Sequence, residues 1–517
     1  MKNGAEIVNE FITINEIEYI FGNPGTTEAT FMDVVANNKN CEYILSLHES
    51  SATGIAAGYA LKSGKPAILN IHTYPGLANS LANMYNAYTS GIPLFVIAGQ
   101  QNRNHLIHSP VLSGNLVELA KTATKTQYEV GRVSDLHIAL QKGFLEATES
   151  KMPTFLSIPM DIYTDECDEA YFKKTKFLNQ THVQDLSEII NLIQTSQKEE
   201  IAFIADFEVG QSEMAKNYLA TLSEAIGAHV YSAPFSVHSS ANLNSKNYKG
   251  ILPVISSDIN SLLSHYKTVF ILGEKITTFF FQEKLSVPSH LTLIQMSNGH
   301  HPFRFDYPFD FIIRGEIEQN LKSLLTHLSI VPITTFETLP EEIETSLLAD
   351  IISHIPRDAA IVTEGSSNDA RVQKIATALK FNETYFSPRG GGLGWAMPLS
   401  VGLSLASKKH AFCFVGDGGS IFSIQAIWTA ARYSIPVVFI CFVNNEYKIL
   451  KDLWKKQIPS SGPEYVALDL KHPELSLHDI CSGFGAKVAE ATAENYEEVI
   501  NSALNYKGPT FITVKNA

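Results

Sequence analysis

An aspartate and an asparagine follow two neighbouring apolar segments in the last third of this 517-residue chain. Gly416-Asp417-Gly418 ends the segment AFCFV, and Asn444-Asn445 ends the segment VVFICFV. One helix fits between them, so the two segments are predicted to be parallel strands joined by a right-handed crossover. Both side chains then emerge at the carboxyl edge of the sheet, where open α/β sheets bind ligands.

The oxygen atoms of Asp417 and Asn444 suit a hard divalent cation, Mg²⁺ or Ca²⁺, with phosphate oxygens completing its coordination. Gly418, Gly419 and Ser420 open the next helix, where free N–H groups and the helix dipole favour a phosphate. A tight turn and an ordinary asparagine turn would explain each feature alone. Together, at this spacing, they predict a site for a metal-bound diphosphate.

Glu49 is a second chemical candidate, because it follows the apolar segment YILSL and precedes a helix of small residues. These neighbours predict a nearly buried carboxyl group, which can donate a proton or a hydrogen bond. The alternative is a helix N-terminus that Ser50 or Ser51 caps, with Glu49 interacting favourably with the helix dipole. The residues alone leave both interpretations open.

Two further turns follow predicted strand ends, GNPGTT at residues 22–27 and IHTYPG at residues 71–76. His72 could transfer protons near neutral pH, although a single histidine at a strand end is more often structural. The run GGGLG at residues 390–394 resembles a dinucleotide-binding loop but lacks the acidic residue expected after a second strand. The sequence has no GxxxxGK[ST], HExxH or GxSxG motif, which disfavours nucleotide hydrolases, zincins and serine hydrolases.

Parallel sheets must position these residues, and the sequence predicts three of them. Residues 1–170 alternate short apolar segments with helical stretches, which indicates a parallel sheet with helices on both faces. Residues 185–328 repeat the alternation more weakly, and residues 340–517 repeat it clearly. We therefore predict an α/β protein of three doubly wound domains that are joined by polar linkers.

The first and last of these blocks resemble each other. When Ile92-Pro93 is matched to Ile435-Pro436, the flanking strand, turn, helix and strand align without a gap. Two copies of one βαβ unit are therefore predicted. Their turns differ, HTYPG in the first copy and GDGGS in the second, which suggests that the copies divide the chemistry between them.

Composition narrows the class of protein. Hydrophobic residues make up 45% of the chain and charged residues 18%, which is typical of globular proteins. A net charge of −14 disfavours nucleic-acid binding and leaves small metabolites and protein partners as ligands. Five cysteines without a CxxC pair are expected to be reduced, and Cys413 and Cys441 to be buried. Without a signal-peptide core or a membrane-spanning run, we expect a cytoplasmic protein that binds no membrane.

The GDG and NN pair, with Glu49 and three α/β blocks, resembles the thiamine diphosphate (ThDP)-dependent 2-oxo acid decarboxylases and acetolactate synthases. The resemblance runs nearly end to end and is densest at residues 20–101, 386–402 and 412–450. Within the family it is most similar to the benzoylformate decarboxylases, through FGNPG, GIAAGYA, AGQQ, GGLG and SIQAIWTAARYSIP. The resemblance implies pyrimidine-binding, middle and diphosphate-binding domains for the three blocks.

The resemblance also implies roles for the candidate residues. Asp417, Asn444 and the backbone carbonyl of Glu446 would hold Mg²⁺ against the diphosphate. Glu49 would hydrogen-bond the pyrimidine ring and so promote loss of the thiazolium proton. Leu393 would wedge the cofactor into its bent shape. The residues implied to contact the cofactor are Ser367, Gly391, Leu393, Asp417, Gly418, Ser420, Asn444 and Tyr447.

The implied activity is the non-oxidative decarboxylation of a 2-oxo acid. Thr26 would orient the substrate carboxylate, and His72 would handle a proton. The alternative is a carboligase of the acetolactate synthase type, which transfers the ThDP-bound carbanion to a second carbonyl. Phe280 favours this alternative, because it stands near the place of a second histidine in benzoylformate decarboxylases. A catalytically silent homologue is less well supported, and FAD is not expected.

The resemblance finally implies self-association. In this family, the pyrimidine-binding and diphosphate-binding domains that form one site come from different chains. Glu49 of one chain would then act on a cofactor held by Asp417 of another, in a dimer or homotetramer. This arrangement would explain a duplication whose two copies have diverged.

Overall fold

The computed structural model describes residues 1–168, 172–175, 186–273, 288–299, 309–336, 343–381, 383–385, 388–460 and 465–515. The strands are β1 (Lys2–Asn3), β2 (Tyr19–Asn23), β3 (Glu42–Leu45), β4 (Ala67–Ile71), β5 (Leu94–Gln100), β6 (Gln127–Glu129), β7 (Thr154–Pro159), β8 (Glu166–Cys167), β9 (Ile201–Ala205), β10 (His229–Ser232), β11 (Tyr248–Ile251), β12 (Thr268–Leu272), β13 (Thr292–Ser297), β14 (Phe311–Arg314), β15 (Ala360–Glu364), β16 (Thr384–Tyr385), β17 (Ala411–Gly416), β18 (Val437–Val443), β19 (Lys487–Glu490) and β20 (Thr510–Lys515).

The α-helices are α1 (Gly4–Ile14), α2 (Ala29–Asn37), α3 (Glu49–Ser63), α4 (Thr73–Thr89), α5 (Arg103–Leu106), α6 (Leu116–Ala120), α7 (Val133–Ser150), α8 (Ser187–Thr195), α9 (Phe207–Gly210), α10 (Glu213–Ile226), α11 (Ser256–Leu263), α12 (Ile317–His327), α13 (Leu347–Ser353), α14 (Asp369–Ala378), α15 (Ala396–Ser407), α16 (Asp417–Ser420), α17 (Ala426–Arg432), α18 (Lys448–Gln457), α19 (Leu477–Gly483) and α20 (Tyr496–Leu504). Short 3₁₀ turns lie at Thr26–Glu28, Met160–Tyr163 and Ser366–Asn368.

Three parallel sheets confirm the predicted fold class. The first has the strand order β3-β2-β4-β5-β7-β6, and the second has the order β11-β10-β9-β12-β13-β14. In the third sheet, five parallel strands lie in the order β15-β17-β18-β20-β19. Strands β4, β9 and β15 are buried along their whole length, as expected for parallel strands with helices on both faces.

The chain divides into two compact units. The first unit comprises Met1–Lys176, Thr345–Val372 and Gly390–Ala517, and the second comprises Phe177–Glu344 and Gln373–Arg389. The first sheet and the five strands of the third belong to the first unit, whereas the second sheet belongs to the second unit. Domain limits at residues 1–170, 185–328 and 340–517 stay a prediction.

Helices α3 and α15 of the first unit touch through their backbones. A Cβ atom on Gly58 would overlap the carbonyl oxygen of Leu399, and one on Gly402 would overlap that of Ile55. The approach therefore requires glycine at both positions. This contact fixes helix α3, which begins at Glu49, against the helix that leads into β17.

The carboxyl edge of the second unit's sheet holds two buried carboxyl groups. Asp206, at the end of β9, forms an ion pair with Arg389, and burial lowers the pKa of that guanidinium to about 9. Glu208 accepts hydrogen bonds of 2.9 Å from the Ser297 hydroxyl and the Asn298 backbone, while burial raises its pKa to about 7. Phe280, which favours the carboligase alternative, lies outside the described residues of this unit.

The predicted burial of Cys413 and Cys441 is confirmed, whereas the reducing environment stays a prediction. Cys413 and Cys441 are fully buried in neighbouring strands, and all five cysteines are free.

Within the described ranges, no helix combines the length and apolar character that crossing a membrane demands.

Replacing Gly58 or Gly402 with alanine should destabilise the first unit by about 3 kcal/mol or more, because the added methyl group would overlap a backbone oxygen that cannot move aside. Gly131→Ala is the matched control, since its added Cβ would have no atom of the described chain within 4 Å. Its effect should stay within about 0.5 kcal/mol in denaturant unfolding. Equal stability of all three variants would contradict the packing described here.

Candidate functional site

The first group of candidate side chains lies at the carboxyl edge of the first sheet. Strands β2 and β4 are neighbours, and Asn23 pairs in register with Ile71. The turns that follow these strands therefore come together, although 44 residues separate His72 from Glu28. We call Asn23, Thr26–Glu28, Glu49 and His72 the N-terminal site.

Glu49 is the first residue of α3 and is only 8% exposed. One carboxyl oxygen accepts a 3.2 Å hydrogen bond from the Asn23 amide, and the other accepts a 3.0 Å bond from the Asn79 amide. The helix is capped by His48, whose Nδ1 accepts the backbone N–H of Ser50. The alternative interpretation, in which Ser50 or Ser51 caps the helix, is therefore wrong, and the interpretation with a nearly buried carboxyl group is confirmed.

His72 contacts a fully buried carboxylate that the sequence analysis missed. Its Nδ1 lies 2.9 Å from Oε2 of Glu28 and 3.1 Å from Oγ1 of Thr27. The Thr27 hydroxyl donates to Oε1 of Glu28 at 2.6 Å, and the Gly25 backbone donates to Oε2 at 2.8 Å. The hydrogen bond to Glu28 raises the pKa of His72 and outweighs desolvation, which lowers it. Thr26, next to this network, is exposed.

The backbone that follows His72 is strained. Thr73 has a φ of 46°, in the left-handed region that β-branched residues rarely adopt. It is also fully buried, and its hydroxyl has no hydrogen-bond partner among the residues that the structure describes. Such strain costs about 1–3 kcal/mol and is concentrated at functional sites. The conformation therefore marks the His72 turn as a position where packing overrides local preference.

The second group lies at the carboxyl edge of the third sheet, where β17 and β18 are parallel neighbours. Asp417 is 3% exposed, and its Oδ1 accepts the Gly418 N–H at 2.8 Å. Its Oδ2 accepts the N–H groups of Asn444 at 2.9 Å and of Asn445 at 2.6 Å. The predicted meeting of Asp417 and Asn444 is confirmed. We call 417–420 and 444–447 the C-terminal site.

The remaining predicted residues of the C-terminal site lie beside this carboxylate. The Ser420 hydroxyl donates to the backbone carbonyl of Asp417 at 2.7 Å. A Cβ on Gly418 would lie 2.6 Å from the ring of Tyr447, so this turn requires glycine. The Glu446 side chain pairs with Lys451 at 2.5 Å, which directs its carboxylate to that lysine.

The chemistry of these donors fits a hard cation. The set contains the carboxylate of Asp417, the amide of Asn444 and the backbone carbonyl of Glu446, and oxygen ligands of these kinds suit Mg²⁺ and Ca²⁺. Among the described residues, the C-terminal site included, no cluster of three or more His, Cys, Asp or Glu side chains is placed to hold a metal ion. A cation here would depend on one carboxylate, one amide and one backbone carbonyl, and it is the chemistry of these donors that makes the C-terminal site the candidate metal position.

Two asparagines of α4 hold the loop at residues 390–394. Asn86 donates to the carbonyl of Gly392 at 3.0 Å and accepts its N–H at 3.1 Å. Asn83 donates to the last carbonyl of the loop at 3.1 Å. These bonds fix the backbone on both sides of Leu393, whose side chain is 41% exposed. Leu393 is thus an exposed apolar side chain on an immobilised loop.

Glu364 holds the other end of this loop and was also missed. It ends β15, is 3% exposed and accepts the N–H groups of Trp395 at 3.3 Å and Ala396 at 3.2 Å. Burial raises the pKa of this carboxyl group to about 8. Ser367 follows in the turn Ser366–Asn368, and Gly391 in the loop has a φ of 68°.

The missed residues left recognisable signals in the sequence. Asn79, Asn83 and Asn86 follow the spacing i, i+4, i+7, which places them on one face of α4. Glu364 ends an apolar strand, as Asp417 does. Glu28 lies three residues after Gly25, and that spacing alone indicates only a local turn contact.

Both sites lie in segments that match known protein families. Residues 2–115 match the family described as "Thiamine pyrophosphate enzyme, N-terminal TPP binding domain". Residues 368–514 match "Thiamine pyrophosphate enzyme, C-terminal TPP binding domain". The N-terminal site falls in the first segment, and the C-terminal site falls in the second.

Full-length relatives are similar to the chain from end to end. Benzoylformate decarboxylase of Pseudomonas aeruginosa is 27% identical over 99% of this chain and 99% of its own length. An acetolactate synthase large subunit of Haemophilus influenzae is 22% identical over 98% of this chain and 92% of its own. The crystal structure of benzoylformate decarboxylase from Polynucleobacter necessarius superposes with a TM-score of 0.87 at 24% identity, covering 100% of this chain and 98% of that one. The chain shares the fold of that structure.

The raised pKa of Glu364 predicts a pH-dependent stability. Its pKa of about 8 in the folded chain exceeds the ordinary value of 4.5, so between these values the folded state binds the extra proton. The free energy of unfolding should therefore fall as the pH rises through this window, by up to about 1.4 kcal/mol per pH unit. Glu364→Gln cannot ionise and should remove this contribution, whereas Glu498→Gln at an exposed position should leave it unchanged. Parallel pH–stability curves for wild type and Glu364→Gln would refute the assignment.

Proposed function

Because the chain belongs to the thiamine pyrophosphate (ThDP) enzymes, we propose that it catalyses the ThDP- and Mg²⁺-dependent, non-oxidative decarboxylation of a 2-oxo acid. The observation that carries the proposal is the buried carboxylate of Asp417, which lies against the backbone of Asn444 at one sheet edge. The similarity to benzoylformate decarboxylase over the whole chain supports decarboxylation as the reaction.

The C-terminal site supplies the groups that would hold the cofactor. Asp417, Asn444 and the Glu446 carbonyl would bind Mg²⁺, and Ser367 and Ser420 would contact the diphosphate, with Gly418 leaving room for it. Bound ThDP supplies a carbon nucleophile and accepts the electron pair released when CO₂ leaves. Asp417 keeps the turn in place, because its two oxygens accept three backbone N–H groups.

The N-terminal site supplies the groups that would move protons and bind the substrate. Glu49 would bond the cofactor's pyrimidine ring from its nearly buried position, where Asn23 and Asn79 fix both carboxyl oxygens. Thr26 would orient the substrate carboxylate through its exposed hydroxyl group, and His72 would handle a proton. Contacts to the aminopyrimidine and to the bent cofactor would come from Gly391, Leu393 and Tyr447.

We propose that each active site forms between two chains. Five apolar side chains in or beside the segments of both sites are more than a third exposed in the single chain, which leaves apolar surface for a partner chain to bury. A second copy would cover them in a dimer or tetramer. The exposed side chains are Leu47, Tyr74, Leu393, Ile421 and Phe422.

Five free cysteines fit the reducing cytoplasm, where we place the enzyme.

A carboligase is the alternative function. The acetolactate synthase relative covers 98% of the chain, and such an enzyme would use the same N-terminal and C-terminal sites. The two functions would differ only in whether the substrate-derived carbon takes up a proton or joins a second carbonyl carbon. Products therefore distinguish them.

The first experiment follows CO₂ and carbon products from a panel of 2-oxo acids, from pyruvate through branched acids to benzoylformate, with ThDP and Mg²⁺. CO₂ with an equal amount of aldehyde is expected and would identify the substrate. CO₂ with a 2-hydroxy ketone or an acetohydroxy acid would establish the carboligase instead. No CO₂ and no ThDP uptake in calorimetry would overturn both functions.

Complementation between inactive variants tests the shared site. Glu49→Gln should retain ThDP binding while kcat falls about 10²–10⁴-fold, through loss of acid–base chemistry. Asp417→Asn should lose Mg²⁺-dependent ThDP binding. Co-assembly of the two variants leaves one intact site in each mixed dimer, so about a quarter of wild-type activity should return at random mixing.

The control for this complementation is co-assembly of two differently tagged Glu49→Gln chains, which should remain inactive. Gel filtration of each mixture confirms that mixed oligomers form. Mixed oligomers without restored activity would show that each chain builds its own site.

A further inference from the structure

The Glu28–His72 contact fixes which nitrogen of His72 carries a hydrogen. The Thr27 hydroxyl donates its hydrogen to Oε1 of Glu28 at 2.6 Å, so only its oxygen lone pairs face Nδ1 of His72 at 3.1 Å. The other neighbour of Nδ1 is Oε2 of Glu28 at 2.9 Å, which is also an acceptor. Nδ1 therefore donates, and Nε2 is the nitrogen left for the substrate.

Two glycines make room for this pair. A Cβ on Gly99 would overlap Oε1 of Glu28 and Oγ1 of Thr27, and a Cβ on Gly25 would overlap the imidazole ring. Glu28 has no exposed surface, so water does not screen its charge. Gly99 thus lies against the Glu28 carboxylate and Gly25 against the His72 ring, so the two groups are held in contact from both sides.

The charges around the ring act in one direction. Glu28 and Glu49 both face His72 and stabilise its protonated form. Tyr43 and Tyr163 face Glu28, and burial raises the pKa of both phenols, so they stay neutral. Desolvation of the ring is the opposing effect.

We propose that Glu28 is a positioning residue that fixes Nδ1–H and holds His72 as an imidazolium, so that its Nε2–H is the proton given to the reacting substrate. This inference rests on the proposed function, because the decarboxylation RCOCOO⁻ + H⁺ → RCHO + CO₂ consumes one proton. Joining two 2-oxo acids with loss of one CO₂ also consumes one. The Nε2–H bond breaks with its electron pair left on the ring, and a C–H or O–H bond forms on the substrate-derived group. The neutral ring keeps Nδ1–H and regains its proton from water.

Exchange of the ring Cε1 hydrogen for deuterium reports histidine protonation, and mass spectrometry of the peptide containing His72 reads it in cofactor-free protein. In the wild type, the midpoint should lie above the ordinary 6.5. Glu28→Gln should move the midpoint to lower pH, whereas Glu10→Gln, which removes a surface partner of Lys2, should not. A midpoint unchanged by Glu28→Gln would overturn the proposal.

The pH profile of kcat separates a positioning role from a merely structural one. Activity should fall as the pH rises through the midpoint of His72, and Glu28→Gln should move this limb by the same amount. A midpoint lowered by one pH unit corresponds to about a tenfold loss of activity on the alkaline side. An unmoved limb would overturn the proton-donor role even if the exchange midpoint shifts.

Two further results keep the proposal testable. In Thr27→Val the charged groups of Glu28 and His72 both remain, so the exchange midpoint of His72 should stay above 6.5, as in the wild type. If Glu28→Gln does not fold, a wild-type midpoint at or below 6.5 would still overturn the proposal. If the wild type converts no 2-oxo acid, the proposed function fails, whereas the exchange experiment still decides the Glu28–His72 pair.

Discussion

The burial of four carboxyl groups is the constraint on which both sites depend. Glu28, Glu49, Glu364 and Asp417 are each at most 8% exposed. Removing a carboxyl group from water costs free energy unless hydrogen bonds, a counter-charge or, as in Glu364, a bound proton compensate for the lost water. Each group is satisfied differently: Glu28 by an imidazole, a hydroxyl and a backbone N–H, Glu49 by two amides, and Glu364 and Asp417 by backbone N–H groups.

Helix α4 links several of these arrangements. His72 precedes its first residue, and Asn79 bonds Glu49 from its first half. Asn83 and Asn86, further along the same helix, hold the loop that bears Leu393. Side chains on one rigid helix are positioned more accurately than side chains on separate loops. A single element therefore sets the geometry of the Glu49 carboxyl group and of the 390–394 loop together.

The two βαβ units show how a duplicated scaffold can carry different chemistry. In the first, a continuous helix follows β4, and the turn presents His72 to a buried carboxylate. In the second, the chain forms the short helix α16 and then α17. Asp417 accepts one backbone N–H from its own turn and two from the turn that follows β18. One turn suits proton transfer, and the other suits ligation by oxygen atoms. In both βαβ copies the two strands are neighbours in the sheet and pair in parallel.

The sequence by itself determined the three sheets and the meeting of Asp417 with Asn444, because apolar segments with intervening helices allow only a parallel crossover. For Glu49 the sequence left burial and a role at the helix N-terminus both open, and the tertiary structure decided that its carboxyl group is buried. Only the tertiary structure decided that Glu28 meets His72, and that Glu364 meets the start of α15. These partners are remote in sequence, and their contact depends on strand register and helix packing. Local periodicity specifies which face a residue occupies, whereas the side chain it meets depends on how distant elements pack.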